Sequence, residues 1–86
     1  PPATLITGIR TVGSKRIVRG VSHDDGEIAT VTVNGRPAEI LTQHAGVADW
    51  TITLEVPSDD RFLARSVDRL GNSEQIPHQR RERDAH

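Results

Sequence analysis

The sequence predicts an all-β sandwich. Three observations predict it. Thr, Val and Ile make up 23 of 86 residues, and β-branched side chains favour strands. Period-two alternation of apolar and polar residues recurs, and no stretch places apolar residues at i, i+3, i+4 and i+7 over three turns. Turn-forming pairs fall between the alternating runs at short, regular intervals, as in sandwiches and barrels.

Seven strands are predicted, at about 4–11, 15–22, 27–34, 36–43, 48–56, 61–68 and 72–77. Gly13-Ser14 separates the first two. Asp24-Asp25-Gly26 ends the second. Ala29-Thr30-Val31-Thr32-Val33 alternates within the third, so one face meets a core and the other water. Asn34-Gly35 predicts a two-residue hairpin turn, because such turns need positive φ at both positions. Ala45-Gly46 closes the fourth strand. Trp50-Thr51-Ile52-Thr53-Leu54-Glu55-Val56 is the clearest alternation in the chain. Trp50 shares its face with Ile52, Leu54 and Val56, which predicts a core tryptophan rather than a sugar-stacking one. Pro57-Ser58-Asp59-Asp60 and Gly71-Asn72 bound the sixth strand. Residues 1–78 are expected to form one sandwich domain. Residues 79–86, Gln-Arg-Arg-Glu-Arg-Asp-Ala-His, carry no apolar residue larger than Ala85 and are expected to form a solvated, disordered tail.

Composition restricts the function. The net charge is −1, without the basic excess of a phosphate-backbone binder. Trp50 and Phe62 are the only aromatics, too few for a stacking platform on single-stranded nucleic acid. No apolar run approaches the roughly 20 residues of a membrane-spanning helix. There is no cysteine, so neither a disulfide framework nor a thiolate zinc site exists. The chain has no Met and opens on Pro1-Pro2, which suggests a segment of a longer protein. No cofactor is expected, because 86 residues bury a thin core and leave little chain to wall a large pocket.

Three sets of residues are candidates for function. Asp24, Asp25 and Glu27 are expected at the same end as Asp68 and Asn72. Their oxygens suit a hard cation, but Asp and Asn also serve tight turns by bonding their own backbone. Turn chemistry is the favoured reading, and the nearby Arg65 and Arg69 repel a cation. His23, His44, His78 and His86 show no metal-ligand spacing. No nucleophile frame, phosphate loop or paired-carboxylate pocket is present, so no catalytic residue is expected. The last set concerns register. Phe62, Ala64 and Ser66 share one face of their strand and Leu63, Arg65 and Val67 the other; Val18, Gly20 and Ser22 share one face of theirs and Ile17, Arg19 and Val21 the other. A one-residue shift of register would reverse which face points inward. Aliphatic–arginine–aliphatic stripes suit docking surfaces, although scattered surface aliphatics are also common.

The residues Val18-x-Gly20-x-Ser22-His23-Asp24-Asp25-Gly26-Glu27-Ile28, Val31-x-Val33-Asn34-Gly35, Trp50-x-Ile52-x-Leu54 and Phe62 to Asn72 together resemble bacterial immunoglobulin-like domains of the E-set type. The likeness spans about 15–78, and its phasing implies Phe62, Ala64 and Ser66 inward with Leu63 and Val67 outside around Arg65, and Val18, Gly20 and Ser22 inward with Ile17 and Val21 outside around Arg19. A narrower one exists: Arg65-Ser66-Val67-Asp68-Arg69-Leu70-Gly71-Asn72 is similar to a hairpin in the C-terminal dimerisation domain of sulfite-oxidase-type molybdenum oxidoreductases. This chain is shorter between strands three and five than that family. The resemblance implies a seven-strand immunoglobulin-like sandwich serving as a non-catalytic, periplasmic or extracellular accessory module. Its partner would be a neighbouring domain of the parent chain or a second copy of itself. The alternatives are a dimerisation domain of such an oxidoreductase, with the chemistry elsewhere, and a carbohydrate- or cell-surface-binding module.

Overall fold

The computed structural model describes residues 2–56, 61–73 and 78–81, with His78 and Arg81 described by backbone alone. The described chain is all β. Its strands are β1 (Ala3–Val12), β2 (Lys15–His23), β3 (Ile28–Val33), β4 (Arg36–Pro37), β5 (Glu39–His44), β6 (Val47–Glu55), β7 (Arg61–Asp68) and β8 (His78–Arg81). They form two four-stranded sheets, ordered β1-β2-β6-β5 and β4-β3-β7-β8. Every pairing is antiparallel.

The turns follow from backbone chemistry. Asn34 and Gly35 have φ of 52° and 79°, as the hairpin between β3 and β4 requires. Ala45 and Gly46, at 52° and 80°, form a second turn of that kind between β5 and β6. Asn34 also locks its hairpin onto β7. Its Nδ2 donates to the Arg61 carbonyl at 3.1 Å, and its Oδ1 accepts the Leu63 amide at 2.8 Å.

The expected strand over 36–43 divides. Arg36–Pro37 pairs with β3 in the second sheet, and Glu39–His44 pairs with β6 in the first. Pro37 lacks an N–H and cannot extend a two-sided ladder, so the chain crosses between sheets there. Ala38 donates to the Val31 carbonyl at 2.8 Å during the crossing. The crossing leaves the start of β3 at a sheet edge. Gln43 of β5 covers it, accepting the Ile28 amide at 2.6 Å and donating to the Ile28 carbonyl at 3.0 Å. A side-chain amide thus replaces a neighbouring strand.

The C-terminal end also differs from expectation. Of the strand expected at 72–77, Ser73 makes an isolated bridge to Val67, and 74–77 lie outside the described residues. Gln79–Arg81, expected in a disordered tail, instead belong to β8 and pair with β7 from Arg61 to Leu63. An edge strand is held by backbone bonds and needs no apolar side chain. Arg80 adds a clasp, donating from Nη1 to the Ile6 carbonyl at 3.0 Å. That carbonyl lies where the β1–β2 register shifts, between Ile6 and Gly8. Residues 82–86 lie outside the description.

Between the sheets, Trp50 and Phe62 are the largest fully buried side chains, surrounded by Ile6, Val18, Ile28, Val31 and Val33. The core position expected for Trp50 is therefore observed. Val56, expected on the same face, sits past the end of β6 and is exposed. The Trp50 ring lies directly over Gly20. A Cβ on Gly20 would meet Trp50 Cζ2 at 2.2 Å and the Leu5 carbonyl oxygen at 2.5 Å. The core also holds a polar chain. Trp50 Nε1 donates to Ser22 Oγ at 3.1 Å, and Thr4 Oγ1 bridges Ser22 Oγ at 3.0 Å and Ser66 Oγ at 2.8 Å. It links β6, β2 and β1 of one sheet to β7 of the other, and it satisfies an indole N–H that burial would otherwise penalise.

Candidate functional site

Two regions collect the candidate residues. The first is the end of the sandwich where the β2–β3 loop meets the turn after β7. Asp24, Asp25 and Glu27 from one side and Asp68, Arg69 and Asn72 from the other line a surface cleft of about 230 Å³. The expected convergence of these residues is observed.

The geometry shows how the acidic groups are used. Asp68 is 5% exposed at the end of β7. Its Oδ1 accepts the amides of Leu70 at 3.0 Å and Asn72 at 2.9 Å, and its Oδ2 accepts Asn72 Nδ2 at 3.0 Å. The Asn72 side-chain amide holds the Asp68 carboxyl below its ordinary range. Burial opposes this, while the Asn72 amide, a hydrogen bond with Asp24 and the Leu70 amide reinforce it. These N–H groups stabilise the ionised form. Asp24 Oδ2 accepts the Gly26 amide at 3.3 Å, and the Asp24 amide donates to the Gly46 carbonyl at 3.0 Å. Glu27 forms an ion pair with Arg69, and the Arg69 amide donates to the Glu27 carbonyl at 3.0 Å. Asp68 therefore organises the turn, and its oxygens are already occupied by N–H donors. Among the described residues no three His, Cys, Asp or Glu groups are placed to hold one metal ion.

The histidines do not converge. His23 and His44 both neighbour Val47, on opposite sides of β6. Two strand spacings, about 10 Å, separate their backbones. Both are exposed at strand ends. His78 opens β8, and His86 lies outside the described residues.

The second region is the pair of outer sheet faces. On β7 the inward residues Phe62, Ala64 and Ser66 are each fully buried. Leu63 is 40% exposed, Arg65 is exposed and Val67 half-buried. Beside them, Thr32, Asn34, Gly35, Leu63 and Arg65 line a surface groove of about 250 Å³. On β2, Val18, Gly20 and Ser22 face inward, and Ile17, Arg19 and Val21 lie outside with Arg19 exposed. The register expected for both strands is observed, and the two stripes lie on different sheets. Both clefts fall short of the roughly 300 Å³ at which small-molecule sites begin.

The residues that reasoning from sequence missed are polar. Gln43 and Arg80 bridge the two sheets, and Thr4, Ser22 and Ser66 form the buried hydroxyl chain. One signal for the last was available: Ser22 and Ser66 sit at inward positions of alternating strands, and a buried Trp needs a hydrogen-bond acceptor. Searches of family models, curated proteins and solved structures for a likeness to this chain find no match.

Proposed function

We propose that this chain is an immunoglobulin-like, non-catalytic accessory module of a larger bacterial exported protein, acting in the periplasm or outside the cell by docking onto its parent or onto a second copy. The observation that carries the reading is the pair of aliphatic–arginine–aliphatic stripes, Leu63-Arg65-Val67 and Ile17-Arg19-Val21, on the outer faces of two sheets. Arginine set among aliphatic side chains is the composition of protein interfaces. The strand order supports the immunoglobulin-like assignment. Strands one, two, six and five share one sheet, and three and seven lie centrally in the other, as in that architecture.

The hairpin from Arg65 to Asn72 favours a second reading, a dimerisation domain attached to a molybdenum oxidoreductase. Its Asp68–Asn72 contacts make a turn from the residues that carry that resemblance. Sugar binding is the weakest of the three readings, because both aromatic rings are buried.

The test is the double variant Leu63→Thr, Val67→Thr. Urea unfolding of this chain should change by about 1 kcal/mol or less, since Leu63 is exposed and Thr keeps a β-branched side chain at the half-buried Val67. The same pair in the full-length parent should loosen interdomain packing, read as faster hydrogen exchange or proteolysis across the domain boundary. A parent whose packing ignores both this pair and the corresponding Ile17→Thr, Val21→Thr pair would overturn the docking reading.

A further inference from the structure

The outer face of the first sheet is divided by charge. On this face β1 and β2 set Arg10, Lys15 and Arg19 and no carboxylate, Arg16 falling on the side of Val18 and Ser22; β5 and β6 contain Glu39, Asp49 and Glu55 and no Lys or Arg. The sheet order sets β1 beside β2 and β6 beside β5. Cations therefore occupy one half of the sheet and anions the other, with the boundary between β2 and β6. Lys15 and Glu55 pair across that boundary at its end, at 3.7 Å and largely exposed. Arg10 and Arg19 have no ion-pair partner among the described residues.

Apolar residues on this face are arranged about the same boundary. Leu5 of β1 is 50% exposed and Leu41 of β5 is 49% exposed. Leu5 pairs with Val21, Val21 pairs with Asp49, and Leu41 lies in the register shift opposite Asp49. Leu5 and Leu41 thus stand at one level on the two outer strands.

We propose that this face binds a second copy of the chain, face to face, about a two-fold axis parallel to the strands between β2 and β6. The inference rests on the docking reading above and names its partner. Face-to-face packing about a two-fold requires an axis in the plane of the interface. An axis across the strands would set cation on cation. An axis along them sets the cationic half of each copy on the anionic half of the other. It also places Leu5 of one copy over Leu41 of the second, twice. Arg19 then comes over Thr51 of the second copy, whose neighbours on the face are Asp49 and Glu39. The second sheet's outer face lacks this property. β3, β4, β7 and β8 carry a single carboxylate, Asp68, which is buried. A two-fold along the strands of that face would set Arg65 over Thr32 of the second copy, with no exposed carboxylate on the neighbouring strands to meet it.

Sedimentation equilibrium of the 86-residue chain across a range of salt tests this. Wild type should dimerise, and more weakly as salt rises. Arg19→Glu alone and Glu39→Arg alone should each raise the dissociation constant on the order of tenfold or more, because each sets like charges together. An equimolar mixture of the two variants should recover a mixed dimer, since each then supplies the charge the other lacks. Thermal unfolding of each variant near the wild-type midpoint confirms that it is folded. A wild-type chain that stays monomeric into the millimolar range overturns the proposal, as does a mixture that fails to associate. A dimer indifferent to both reversals but lost in Leu63→Thr, Val67→Thr also overturns it, while leaving the docking reading standing.

Discussion

Replacing Gly20 by Ala probes the contact on which the core is built. The added methyl carbon would lie 2.2 Å from Trp50 Cζ2 and 2.5 Å from the Leu5 carbonyl oxygen. Carbon atoms pack at about 3.5–4.0 Å, so the indole must retreat by more than about 1 Å. It has little freedom to do so, because its Nε1 is tied to Ser22 and the ring is 1% exposed. The second obstacle is backbone of the paired strand and cannot rotate away. Overpacking of this kind costs about 1–3 kcal/mol, occasionally more, and a backbone obstacle puts Gly20→Ala at the upper end. Typical stability per residue gives a chain of 86 residues about 4–13 kcal/mol in total, so the variant loses a large fraction. Trp50→Phe supplies the control. It trims the ring over Gly20 and leaves the Leu5 carbonyl. Gly20→Ala should therefore cost less in the Trp50→Phe background, with a coupling of about 0.5 kcal/mol or more. Urea unfolding followed by circular dichroism on the four members of the cycle measures it. Equal costs in both backgrounds would refute the claim that the indole is what excludes a side chain at residue 20.

Asp68 makes stability depend on pH. Its folded carboxyl is held below the ordinary value of 3.8, so its contribution is fully present above that value and is lost as pH falls through the lower folded one. The thermal midpoint should drop on acidification below that point, and Asp68→Asn should flatten the drop; an unchanged acid limb would show that other carboxyls carry it. Gln43→Ala leaves the Ile28 amide and carbonyl without their side-chain partner. It should cost about 1–3 kcal/mol and speed hydrogen exchange at Ile28, whereas unaltered exchange there would mean that the edge is protected by something else.

Inward and outward positions were legible from alternation alone only where one face is apolar: Trp50 occupies the expected side because it shares a face with Ile52 and Leu54. The strand from Phe62 carries apolar residues on both faces, so the side of Phe62, Ala64 and Ser66 followed from the family resemblance and not from period two. Asn34-Gly35 was legible because positive φ at two successive positions admits few residues. The division of 36–43 was not. Pro37 signalled an interruption, but alternation has no term for which sheet a strand joins. β8 was hidden for a different reason: its pairing is backbone to backbone, and Gln79 and Arg80 give no apolar signal. The acidic end was legible as a cluster, since loops at one end of a sandwich meet. Its use as a turn brace follows from the spacing of Asp68 and Asn72, four residues apart, which brings the second side chain back onto the first.

The clasp between Arg80 and the Ile6 carbonyl joins residues 74 apart in sequence, and this bears on how the chain is made. A ribosome delivers β1 first and β8 last. Until β8 emerges, the kink in β1 lacks its covering guanidinium, and Thr4 lacks Ser66 until β7 has appeared. The nascent chain therefore presents an open strand edge through most of its synthesis, when pairing with other chains is the main hazard. Closure depends on contacts between distant segments, which slows it relative to local structure. Expression of this domain should consequently respond to chaperone supply and to translation speed after Asp68 more than to pauses within the β1–β2 hairpin, whose two strands leave the ribosome together.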